Sequence, residues 1–122
     1  MSITFRNADA LAFRPGMRSL WVDALAAFDT SRYRNELGVI ARADRFEEVE
    51  DDLNRAGLDI VCWFGVRVFN DAIPAHVGVP TDESLALLLD AEDQAGRRDP
   101  YRWMASQLHV IACWSPRAKS NR

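Results

Sequence analysis

Apolar residues recur at Met17, Leu20, Trp21, Ala24, Leu25 and Phe28, three and four positions apart, directly after a Pro15-Gly16 breaker. That spacing lays one stripe along a helix, so a core-facing amphipathic helix is predicted here. Upstream, Ile3 to Arg6 reads as a short strand. Asp29-Thr30-Ser31 then supplies turn chemistry, and RYRNEL (32–37) reads as a short helix or a loop before Gly38.

The middle of the chain has the pattern of a strand-helix-strand unit. GVIARA (38–43) is short and β-branched, and Asp44 with Glu47 three residues on resembles a capping box. Phe46, Val49, Leu53 and Ala56 give the helix a buried stripe, and Gly57 is placed to end it in the left-handed conformation. LDIVCWFGVRVF (58–69) follows, rich in β-branched and aromatic residues, with Gly65 marking a bulge or bend. This strand is expected at the centre of the sheet, pairing with the first in parallel through a right-handed crossover or in an antiparallel ferredoxin-like order.

NDAIPAHVGVP (70–80) carries two prolines and a glycine and is expected to be a loop. Thr81 caps the next predicted helix, whose apolar side is Leu85, Leu88, Leu89 and Ala95 and which Gly96 closes. Asp99-Pro100 then looks like a cap followed by Pro in the first turn, which starts a last helix over PYRWMASQLHVIACW (100–114). Placed at about 100° per residue, Leu108 and Ile111 fall on one side, and Trp103, Val110 and Trp114 nearly opposite, so a central helix is expected. SPRAKSNR (115–122) has the composition of a disordered tail. The fold class is therefore α+β or small α/β, with about four helices packed on a small sheet, in one globular domain over 1–114.

Composition narrows the function classes. The chain is 48% apolar, with four Trp and six Phe, enough for one core. Arg6, Asp9 and Arg14 interrupt the N-terminal segment, which does not resemble a signal peptide, and no run approaches the roughly 20 apolar residues of a membrane span. A cytoplasmic location is expected, with Cys62 and Cys113 as free thiols. The net charge of −3 argues against general nucleic-acid binding. Fourteen of the 15 basic residues are Arg, a type suited to bidentate recognition of carboxylate or phosphate, although codon bias gives the same composition.

Four constellations carry candidate chemistry. On a helix from Pro100, Arg102, Ser106, His109 and Cys113 would share a polar stripe, with His109 activating a Cys113 thiolate. The last turn of a helix is the wrong end of the dipole for a thiolate, so packing is the stronger interpretation of this pair. Cys62, His76, His109 and Cys113 supply four zinc-type ligands, but without a close C-x2-C pair no metal is expected. Arg97, Arg98 and Arg102 could hold an anion at a helix start, or could simply cap the helix before it. Glu47, Glu48, Glu50, Asp51 and Asp52 place five acids in six residues, with Asp51 to Arg55 the one favourable i,i+4 pair.

No glycine-rich phosphate loop, nucleophile elbow or zinc-protease motif occurs, so no cofactor is expected and the sequence leans away from an enzyme. The function expected is binding of a basic protein by the acidic helix, through Glu47, Glu48, Asp51 and Asp52, as an inhibitor, immunity-like or regulatory protein would do. Two alternatives stand beside it. One is a small enzyme or ligand-binding domain using the 102/106/109/113 stripe on an anionic substrate. The other is a subunit of a larger assembly or homo-oligomer, with Trp63, Trp103 and Trp114 at its interface.

Overall fold

A computed structural model describes residues 1–116; the expected tail from 117 onward lies outside the described residues. The fold is α+β. Its main sheet has three antiparallel strands in the order β1 (Ser2–Arg6), β5 (Gln107–Trp114), β4 (Leu58–Val66). A separate hairpin pairs β2 (Arg32–Arg34) with β3 (Ile40–Arg42). Among the described residues there are four α-helices: α1 (Phe13–Met17), α2 (Trp21–Ala27), α3 (Phe46–Arg55) and α4 (Asp82–Arg97). None is long and apolar enough to cross a membrane.

The largest departure from the sequence expectation is β5. In place of a helix over 100–114 there is a single 3₁₀ turn, Tyr101–Met104, and then a strand. Leu108, Val110 and Ala112 are buried, while Gln107, His109 and Ile111 between them are half exposed. That is a period of two, and two-sided apolarity is how such a strand looks when it is wound at a helical pitch. β5 is consequently the central strand and β4 an edge, the reverse of the expected order. The strand-helix-strand unit is dissolved as well, because β3 joins β2 in the hairpin while β4 pairs with β5.

α3 covers one face of the main sheet. Phe46 and Leu53 are buried and Val49 is half buried, packed with Ile3, Phe5, Leu108, Val110 and Ala112. Burying a Phe or Leu contributes about 1.5–3 kcal/mol each, which fixes this helix on the sheet. Gly57 ends it at φ 82°, as its position predicts. Its start differs: Arg45 is the N-cap without a side-chain bond, and the Asp44 carboxylate pairs with Arg42 at 2.6 Å. The Asp44 backbone is already engaged, donating to the Arg6 carbonyl and accepting from the Ala8 N–H, both at 2.9 Å. This bridge orients the chain away from a capping box.

Asn7 closes the same corner. It is 1% exposed, and its Nδ2 donates to the carbonyls of Trp103 at 2.9 Å and Ala105 at 3.0 Å. Its backbone N–H donates to the Ser106 carbonyl at 2.9 Å. One buried amide thereby joins the end of β1 to the turn that starts β5. Phe46, Trp63 and Trp103 meet beside it, with ring centroids 4.4–5.3 Å apart.

The first predicted helix is broken in two. Ser19 adopts φ 60°, so α1 and α2 fold back on each other, with Gly16 against Ala24. Only Ala24 of the expected stripe is buried; Met17, Leu20, Trp21, Leu25 and Phe28 are exposed. A seven-residue helix on a five-residue one offers too little surface to cover those side chains. RYRNEL forms β2 and the hairpin turn, because Asn35 Oδ1 accepts from the N–H groups of Leu37 and Val39, each at 3.0 Å.

Thr81 caps α4, accepting from Ser84 N–H at 3.4 Å. Of its expected apolar side, Ala95 is buried and Leu88 half buried, but Leu85 and Leu89 are exposed. The helix meets the body at its C-terminal end, where Gly96 lies inside it rather than closing it. A Cβ on Gly96 would collide with the carbonyl oxygen of Gly65, and one on Gly65 would lie 2.7 Å from the Arg102 carbonyl oxygen. Gly65 is thus a close-approach site, and the irregularity in β4 falls between Ile60 and Cys62 instead. Gly96→Ala is expected to destabilise the fold by about 1–3 kcal/mol, the range for overpacking against backbone, read as a lower urea midpoint. An unchanged midpoint would mean α4 is not held at this contact.

Candidate functional site

The densest arrangement of charge is built on the loop after β4. Glu92, on α4, accepts hydrogen bonds from the backbone N–H groups of Val68 and Phe69 at 2.7 Å and Asn70 at 2.8 Å. This carboxylate fixes the following 3₁₀ turn, Asn70–Ala72, whose central residue Asp71 is buried. Arg14 of α1 reaches Asp71 in bidentate fashion, Nε at 2.8 Å and Nη2 at 2.7 Å. Arg6 at 3.5 Å and Arg67 at 3.6 Å share the same carboxylate. Arg18 donates to the carbonyls of Asp71, Ala72 and Ile73.

Three guanidiniums on one carboxylate leave the cluster positive. Burial by itself would raise the Asp71 carboxyl, but the Arg14 hydrogen bonds and the charges of Arg14 and Arg6 outweigh it and hold the group at about 2. Arg6 experiences the converse: burial and the neighbouring Arg14 charge lower it, against the pull of Asp71. Sequence reasoning missed the cluster because its members come from β1, α1 and the loop after β4. The abundance of Arg was the one signal, and it carries no address.

The polar stripe expected on a final helix is not assembled. His109 and Cys113 lie on the same face of a strand, four residues apart and therefore about 13 Å along it. His109 Nε2 is 2.7 Å from Ser2 Oγ, and Cys113 is exposed opposite Asp59. Arg102 points elsewhere, bonded to Asp99 at 2.5 Å and lying 3.8 Å over the Trp63 ring. Among the described residues no group of three or more His, Cys, Asp or Glu is placed to hold a metal, so Cys62, His76, His109 and Cys113 do not converge.

The weak anion set is also dispersed. Arg97 pairs with Asp93 at 3.0 Å and Arg102 with Asp99, while Arg98 lies apart on the side of Phe69 and Tyr101. Glu47, Glu48, Asp51 and Asp52 are all exposed on α3. Arg55 pairs with Asp52 at 3.1 Å rather than with Asp51, leaving Glu47, Glu48 and Asp51 without a basic partner among the described residues. A scan of protein-family models and a search of curated proteins both find no match to this chain.

The depressed carboxyl gives a signed pH dependence. Its stabilising contribution is complete above the unfolded-state value near 4 and is lost as pH falls through about 2. Relative to Asp71→Asn, the native chain should lose on the order of 1–2 kcal/mol of stability between pH 5 and 2. Urea titrations across that range test it, and a pH-independent difference between the two proteins refutes the anchor. For the cysteines, a thiol reagent should label the native chain at exposed Cys113 well ahead of half-buried Cys62, and Cys113→Ser should abolish the faster phase.

Proposed function

We propose that this chain works by binding another protein, one that carries a basic surface beside an apolar patch. The observation that carries the reading is α2 and its flank, which turn large apolar side chains outward: Trp21 is 64% exposed, Val22 82%, Leu25 69% and Phe28 68%. Single exposed apolar residues need no explanation, but a contiguous patch on a folded chain marks an interaction surface. Aromatic and aliphatic anchors of this kind supply affinity when a partner desolvates them.

The acidic face of α3 supplies the choice of partner. Charges that are exposed and unpaired act at long range, accelerating encounter with an oppositely charged protein more than they tighten the complex. Glu47, Glu48 and Asp51 fit that role, with Asp52, paired to Arg55, beside them. A second reading, a subunit of an assembly formed by copies of the same chain, draws on the same α2 face. It is the weaker of the two, because pairing acidic copies brings like charges together.

A photoreactive residue at position 25 would cross-link the partner, and that partner is expected to be basic. With it in hand, reversing Glu47, Glu48, Asp51 and Asp52 to Lys should slow association about tenfold or more and flatten its salt dependence, with dissociation little changed. Trp21→Ser should instead speed dissociation. Unchanged kinetics in both variants would refute the reading, and sedimentation of the chain alone as a dimer at micromolar concentration, abolished by Leu25→Asp, would favour the assembly.

A further inference from the structure

Beside the Asp71 cluster lies a cleft of about 460 Å³, within the size range of small-molecule sites. Arg6, Arg14, Arg18, Arg32, Arg34 and Tyr33 line it, drawn from β1, the α1–α2 corner and β2. The acids in reach are Asp23 and Glu36 in the lining and Asp71 behind Arg14. Asp71 is shared with Arg67 as well, so six guanidiniums against three carboxylates leave three positive charges.

Arg6 is the decisive residue. Its side chain is 6% exposed, and its Nε and Nη1 have no hydrogen-bond partner among the described residues. The Asp71 contact at 3.5 Å is an ion pair at the limit of hydrogen-bond length, and the Tyr33 ring, 5.3 Å from the guanidinium, offers a cation–π contact in place of an oxygen acceptor. Leaving charged donors buried and unbonded is costly. A buried donor left without an acceptor in this way calls for a partner the chain itself does not supply.

We propose that this cleft binds a phosphate monoester of a small organic molecule, with the phosphate on Arg6 and Arg14 and the organic part against the apolar wall. A phosphate dianion answers two of the uncompensated charges, whereas a carboxylate answers only one, and arginine forks fit its oxygens in pairs. Leu11, Leu20 and Ala27 give the wall its apolar character, and Tyr33 presents a ring to the same space. This site takes a small ligand and does not depend on the protein-binding reading.

Calorimetric titration of the full chain with phenyl phosphate, inorganic phosphate and benzoate at low salt tests the proposal. Phenyl phosphate is expected to bind about tenfold more tightly than either of the others. Arg32 is exposed and has no side-chain partner among the described residues, so Arg32→Gln should leave the thermal midpoint of the free chain unchanged while weakening phenyl phosphate several-fold. Arg6→Lys, which keeps the charge but not the fork, should weaken it about tenfold or more. Should Arg6→Lys fail to fold, Arg32→Gln decides alone. Absence of binding at ~10 mM, benzoate binding as tightly as phenyl phosphate, or affinity unchanged in the Arg variants would each overturn it.

Discussion

The Asp71 carboxylate is the tie on which the outer half of the molecule depends. Neither α1 nor α2 buries enough apolar surface to hold itself against the sheet, since Ala24 is the one buried residue between them. What attaches them is charge: Arg14 clamps Asp71 from α1, and Arg18 grips the carbonyls of the same turn. A bidentate arginine-carboxylate pair at low exposure is a directional contact that can do this where packing is thin. The turn is fixed in its own right by Glu92, so α4, the loop after β4 and the α1–α2 corner form one connected polar frame.

That frame explains why the cleft is positive. One carboxylate at the hub cannot neutralise Arg6, Arg14 and Arg67 together, and β2 adds Arg32 and Arg34 to the rim. The charge that anchors the helices and the charge that faces the cleft are the same charge, viewed from two sides. α3, by contrast, is fixed on the sheet by the burial of Phe46 and Leu53. Glu47, Glu48 and Asp51 take no part in that packing.

Legibility in the sequence followed the locality of the cause. α3 was readable because its buried stripe and its terminating Gly57 are both local, and α4 was readable from Thr81 onward for the same reason. PYRWMASQLHVIACW was not. Its alternation of Leu108, Val110 and Ala112 is the strand signal, and Val110-Ile111 favours strand, but apolar residues on both faces allow a helical winding of the same letters. The choice between them is made by β1 and β4, which pair with this segment from opposite ends of the chain. The stripe from Met17 to Phe28 failed in the other direction: its periodicity is real, but periodicity does not say that anything lies opposite to be packed against.

By itself the sequence determined the fold class, the acidic face of α3, the cap at Thr81 and the helix end at Gly57, and a surplus of arginine, because each follows from residue type and short spacing. Only the tertiary structure decided that 107–114 is the central strand, that His109 and Cys113 stand apart, and that arginines from β1, α1 and β2 surround one cleft. Those are matters of which distant segments share a hydrogen-bond ladder or a carboxylate. Strand pairing and charge convergence are long-range choices, and no local pattern of letters encodes them.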